Sequence, residues 1–223
     1  NFLAELIKVS LSGTLDMATD SLATNKLLAS VGGLMVEGNL QAASLSAEPT
    51  YSGRLSLSSA NLKGDLQGIT SKAIATGNPD ALKLFEMQLD YSADTNQWAV
   101  DNLKLTLDST HLTGNGKLTR GDYRELQLRL SGDQLNLDSY RATEEATNTP
   151  PSEAPVEGEK ALLAPLAALV ALLNGGTGNI QLEVGTLVTA ATTFDKPRAT
   201  IQLDGKKVSL APVKLGLYQG QID

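Results

Sequence analysis

A mainly β chain built on an antiparallel sheet is what this sequence predicts, and three observations predict it. Aliphatic residues recur at every second position in run after run. Glycine-, Asn- and Asp-containing turn signals punctuate those runs. Only short stretches and one acidic, Pro-rich segment break the alternation. Successive strand residues point to opposite faces, so each alternating run carries one apolar and one polar side.

The first run places Ile7, Val9 and Leu11 between Lys8, Ser10 and Ser12. Leu55 and Leu57 follow, between Arg54, Ser56 and Ser58, and then Leu103, Leu105 and Leu107, between Lys104, Thr106 and Asp108. Leu126, Leu128 and Leu130 alternate with Gln127, Arg129 and Ser131, and Leu135 and Leu137 come after Gly132. The last runs are Ile180–Val184, Ile201–Leu203 and Val213–Leu217. Turns are expected at Gly32-Gly33, Gly114-Asn115-Gly116, Gly121-Asp122 and Asp204-Gly205; the last, between two alternating runs, is a strong hairpin signal.

Three stretches depart from the pattern. Residues 64–76 lose alternation, and Asn78-Pro79-Asp80-Ala81-Leu82 has a capping side chain followed by Pro in a first turn, so one or two short helices are expected at about 64–84. Residues 141–159 read as a flexible acidic linker, with Pro150, Pro151 and Pro155 and five glutamates. An apolar helix is expected at about 160–174, with Leu162, Leu166, Leu169 and Leu173 on one stripe and Asn174-Gly175-Gly176 as its stop. Its apolar run of 13 residues falls short of the roughly 20 needed to span a bilayer.

Composition narrows the chemistry. Aromatics are only 4%, so a core must be built from Leu, Ile, Val and Ala. The net charge of −7 disfavours nucleic acid, whose phosphates draw on surplus Lys and Arg. With no Cys and a single His, thiolate catalysis and a zinc site with several His or Cys ligands cannot be built within the chain, and no cofactor or metal is expected. His111 reads as a solvated or hydrogen-bonded strand-end residue. Asp133 and Asp138 differ by an odd number and would face opposite sides of one strand, against a shared catalytic cleft. Asp94-Thr95-Asn96 lacks the Gly and Glu of a calcium loop and reads as a hairpin turn. Gly175–Gly178 follows a helix and precedes a strand, the reverse of a phosphate cradle, and reads as a helix cap.

Two long segments, WAVDNLKLTLDSTHLTGNGKLT (98–119) and LQLRLSGDQLNLDSY (126–140), resemble the AsmA family of the AsmA/TamB superfamily, Gram-negative envelope proteins. YSGRLSLSSANLKGDL (51–66), NPDALKL (78–84) and the section from Gly176 to Asp223 are similar to the family's other elements in the same order. The resemblance implies a periplasmic protein anchored to the inner membrane through a segment missing from this chain. It implies a role in outer-membrane biogenesis, with a sheet curled into a groove whose apolar interior conducts lipid, phospholipid or lipopolysaccharide, and with outer-membrane assembly proteins as possible partners. No catalytic residues carry over.

Alternation alone fits a groove, a flattened half-barrel or a closed sandwich. The expectation is one AsmA-like β domain over 1–223, a piece of a longer chain, non-enzymatic, its sheet continuous across the linker. Leu103, Leu105, Leu107, Leu126, Leu128, Leu130, Leu135 and Leu137 are expected to line the groove or core. Alternatives are an assembly factor that binds partners at sheet edges and a carbohydrate-active sandwich, the latter disfavoured by a single Trp.

Overall fold

A computed structural model describes residues 7–70, 73–74, 76–140, 173, 175–189, 192–205, 207–211 and 214–217. The acidic linker and the apolar helix expected at about 160–174 lie outside the described residues, except for Leu173.

The described strands form one sheet. Their order follows the chain: β1 (Ile7–Asp16), β2 (Ser21–Val31), β3 (Leu34–Ala43), β4 (Thr50–Ser59), β5 (Phe85–Ala93), β6 (Gln97–Leu107), β7 (Thr110–Thr119), β8 (Glu125–Asn136), β9 (Thr177–Thr189), β10 (Thr192–Asp204) and β11 (Lys207–Leu210). A further strand, β12 (Lys214–Leu217), pairs with β10 beside β11. The sheet is open, with β1 at one edge and β11 and β12 at the other.

Every neighbouring pair is antiparallel except β8 and β9, which run parallel with Leu126 opposite Gly178 and Leu130 opposite Leu182. The expected antiparallel sheet thus holds with one parallel pair in it. Parallel neighbours need a crossover of about a dozen residues or more, and residues 137–176 provide it.

One expected turn is corrected. Gly114-Asn115-Gly116 lies inside β7, where Gly114 pairs with Leu103 and Leu130 and Gly116 with Val100 and Leu128. A Cβ on Gly114 would stand 2.8 Å from Leu130 Cδ2, and one on Gly116 3.1 Å from Leu128 Cδ1. These glycines let neighbouring leucines lie over the strand, which is a packing role rather than a turn. The other expected turns stand: Gly32 (φ 64°) between β2 and β3, Gly121-Asp122 between β7 and β8, and Gly205 (φ 57°) in the β10–β11 hairpin.

One short helix, α1 (Leu62–Thr70), falls in the 64–84 stretch, begun by the Asn61 side chain accepting from the Gly64 N–H. The second expected start, at Asn78–Leu82, is a turn. Asn78 Oδ1 takes the Asp80 N–H, Leu82 adopts φ 60°, and the Asp108 carboxylate collects the N–H groups of Leu82, Lys83 and Leu84. Those donors are thereby diverted from any helical ladder.

Bulges keep the apolar residues on one side. In β6 the register slips between Val100 and Leu103, with Asn102 at φ 51°, so the apolar positions change from even (Trp98, Val100) to odd (Leu103, Leu105, Leu107) without changing face. β2 does the same between Thr24 and Leu27, and Thr24 Oγ1 accepts the Leu40 N–H there.

The core sits at one end of β7–β10. Leu118, Leu126, Ile180 and Leu203 gather there under Leu173, which is fully buried, with Leu128 and Ile201 packed against them. At the opposite end of the sheet, Asp65 of α1 binds the Gly33 N–H and the buried Ser59 hydroxyl, and Tyr140 of the short α2 (Leu137–Tyr140) donates to the Leu107 carbonyl beside the buried Thr110.

Candidate functional site

The register carries the apolar face across the sheet in rows. One runs Gly38–Leu55–Leu89 through β3–β5, and its continuation is Leu103–Gly114–Leu130–Leu182 through β6–β9. The next runs Met87–Leu105–Leu112–Gly132–Val184. Six of the eight sequence-predicted leucines share this face: Leu103, Leu105, Leu107, Leu126, Leu128 and Leu130. Leu126 is buried in the core cluster, and the other five are only partly buried.

The remaining two lie elsewhere. Leu135 stands an odd number of residues from Leu130 in a register with no shift, so alternation turns it to the other face, in line with Leu187 and Phe194. Leu137 opens α2.

Where β3–β6 meet the end bearing the β5–β6 hairpin, the same face opens into an apolar pocket of about 720 Å³. Its construction depends on Gly53. Tyr91 lies flat across β4 at that residue, and its hydroxyl donates to the Asn39 carbonyl on β3 at 2.9 Å. A Cβ on Gly53 would stand 2.7 Å from Tyr91 Oη and 2.9 Å from its Cζ. The ring, with its hydroxyl spent on backbone, adds a greasy surface beside Leu40, Leu55, Leu89 and Val100. Burial pushes the Tyr91 phenol pKa above its usual value.

The walls are more exposed. Tyr51 (37%) and Trp98 (46%) stand on β4 and β6, on either side of Ala93 of β5, and Pro49 comes from the β3–β4 loop. That loop is tied to the β1–β2 turn by Asp20, whose carboxylate accepts from both the Ser46 hydroxyl and its N–H. Those bonds, the hydroxyl's first, hold the Asp20 pKa below its ordinary value. Arg120 closes the rim: its N–H donates to the Asn96 carbonyl, and its guanidinium sits 4.2 Å from the centre of the Trp98 ring.

A second depression, of about 740 Å³, lies on the opposite, polar side over β6–β10. Lys104, Thr113, Arg129, Gln181 and Arg198 project around it, all exposed, and Arg198 is already paired with Glu183 at 2.8 Å. It is a solvated sheet face between rows of long side chains.

The titratable residues weighed from sequence have structural partners. His111 Nδ1 is 2.8 Å from Asp133 Oδ2, and the His111 and Gln134 N–H groups donate to Asp133 Oδ1. Desolvation raises the Asp133 pKa, and these bonds outweigh it and bring it below the ordinary value. Asp138 is in α2, away from that strand position. Asp94 Oδ1 accepts from Asn96 and Gln97 N–H groups in the expected hairpin turn. Gly176 donates to the Leu173 carbonyl beside Gly175 at φ 88°, a helix-end geometry.

The pocket residues that sequence reading passed over are Leu40, Leu89, Tyr91 and Arg120. A usable signal was present in β5, where Phe85, Met87, Leu89, Tyr91 and Ala93 alternate in strict order. Compared with protein-family models, curated proteins and solved structures, the chain matches none.

Proposed function

We propose that this chain is a non-enzymatic lipid-binding module that holds acyl chains along the apolar side of its open sheet, and that it serves in the periplasm of a Gram-negative envelope in outer-membrane biogenesis. One observation carries the binding reading. The apolar side continues from strand to strand, yet from β3 to β6 its side chains stay partly exposed and open into a pocket whose lining is almost wholly apolar. Each CH₂ moved from water onto such a surface gains about 0.8 kcal/mol, so an acyl chain is a strong match. Aliphatic rows also lack directional bonds that would hold a lipid at one spot. The aromatic residues of the pocket do not favour a sugar, because Tyr91 has spent its hydroxyl on Asn39 and few polar side chains converge there. The envelope setting rests on the AsmA resemblance of residues 51–66, 78–84, 98–119 and 126–140.

Native mass spectrometry with lipid extraction tests the reading. The protein should carry phospholipid or lipopolysaccharide after exposure to membranes, and protein that stays lipid-free would overturn it. Leu105→Asp and Leu128→Asp place charge on the same face and should abolish lipid capture. Capture that survives in folded variants removes those positions from the path.

A second reading has one observation behind it. Among the described residues β1 pairs only with β2, and its Ile7, Val9 and Leu11 are 51%, 65% and 63% exposed. Such an edge is suited to adding a partner's strand. Crosslinking from position 9 that captures a partner protein, in a chain that takes up no lipid, would favour this reading.

A further inference from the structure

We infer that the pocket under β3–β6 selects acyl lipids by the negative charge of their phosphate head, with Arg120 as the group that reads it. The inference rests on the lipid-binding reading above and goes beyond it by naming the head-group chemistry and the residue responsible. The argument starts from the asymmetry of the pocket. Its floor is Leu40, Leu55, Leu89, Val100 and the flat ring of Tyr91, surfaces that offer nothing to a polar group. Among the described residues that line the pocket, Arg120 is the one cation, at the rim rather than in the floor.

None of the ion pairs among the described residues involves Arg120. Its guanidinium instead lies over the Trp98 ring, while its backbone N–H donates to the Asn96 carbonyl of the β5–β6 hairpin and fixes the chain there. Stacking leaves the in-plane N–H fork of an arginine free, and that fork matches the oxygens of a phosphate. An acyl chain laid on the floor with its head at the rim would bring those oxygens to Arg120.

One carboxylate, Asp94, also lines the pocket. Its Oδ1 is engaged by two backbone N–H groups of the hairpin turn, which draws that end of the carboxylate into the turn. The chain as a whole is acidic, at −7, so an unpaired arginine at the mouth of a greasy pocket is a local exception to its charge. Apolar floor and single cationic rim together make the shape of an anionic amphiphile's site.

The experiment compares two ligands that differ only in the phosphate, dodecanoyl lysophosphatidic acid and dodecanoyl monoacylglycerol, below their aggregation thresholds and at low salt. Calorimetry gives the affinities. Trp98, the single Trp of the sequence, reports the place of binding by its fluorescence. The wild-type chain should prefer the phosphate ligand by about tenfold, the worth of one charge-assisted contact, and the preference should shrink as salt rises.

Arg120→Gln should erase the preference, read as the ratio of the two affinities within the variant, whatever the variant does to acyl binding itself. Arg120→Lys, which keeps the charge but loses the planar stack, should retain part of it. Equal wild-type affinities, or a preference untouched in Arg120→Gln, would overturn Arg120 as the reader of the head while leaving acyl binding standing. Failure of both ligands to bind would instead bring down the lipid reading itself. Binding with no change at Trp98 would place the ligand elsewhere and overturn the inference.

Discussion

Two parts of one apolar face have opposite fates in this protein. On β7–β10, Leu118, Leu126, Ile180 and Leu203 are 2–7% exposed beneath Leu173. On β3–β6, Leu55, Leu89 and Val100 are only partly buried, and Tyr51 and Trp98 stand more than a third exposed. Strand pattern does not separate the two, since both alternate large aliphatics with polar residues and both place glycines beside leucines. What separates them is cover. Alternation decides which side of a sheet is greasy, and a different part of the chain decides whether that side becomes a core or a surface.

The largest effect should come from the covered part. Leu203→Ala removes a side chain packed beside Leu173 and Ile180, and should lower the unfolding free energy by about 2–5 kcal/mol, read from urea melts. Leu89→Ala, on the open part, should cost about 1 kcal/mol, because its side chain already meets solvent. Similar losses at both positions would dissolve the contrast between them.

Gly53→Ala sharpens the comparison from the open side. The new methyl would collide with the Tyr91 ring and with backbone, so Tyr91 must lift and give up its bond to Asn39. Overpacking of this sort typically costs about 1–3 kcal/mol. The same lift would fill the pocket, so acyl-lipid affinity should fall in parallel. Tyr91→Phe keeps the ring and loses only the hydroxyl bond, and should cost about 1 kcal/mol with the pocket intact. If Gly53→Ala leaves both stability and binding unchanged, the floor is not built as described.

These contrasts also mark how far the sequence could be read. Leu103–Leu107 and Leu126–Leu130 were placed on one face by alternation alone, and the hairpin at Asp204-Gly205 by its dipeptide. Gly114 and Gly116 read as a turn because a glycine that clears room for a cross-strand leucine looks, in one dimension, like a glycine that turns the chain. Leu135 does not follow Leu130 onto the apolar face, because an odd spacing separates them and the register with β9 does not shift between them. The pocket was not legible, because it needs Tyr91, Gly53 and Asn39 on three successive strands and Arg120 beyond the next hairpin, and only the register brings them together.

The smallest effect is the acid limb, and here too the two parts can be set against each other. Asp20 ties down the loop that carries Pro49 to the open pocket, and Asp133 binds His111 between β7 and β8. Both carboxyl groups have folded-state pKa values below the ordinary one, Asp20 through the Ser46 hydroxyl and N–H, Asp133 through bonds that outweigh its desolvation. A depressed folded pKa means that the unfolded chain binds protons more readily. The stability each group adds is therefore fully present above the unfolded carboxyl pKa of about 3.9 and is lost as pH falls through the lower folded value. Urea midpoints should be flat from about pH 7 to 5 and fall below about pH 4. Asp20→Asn should flatten part of that fall, and because Asp20 holds pocket rather than core, it should weaken acyl-lipid binding at neutral pH as well. Asp133→Asn should flatten the fall without touching binding. An acid limb unchanged in both variants would mean that neither carboxylate is held in the folded state as its bonds imply.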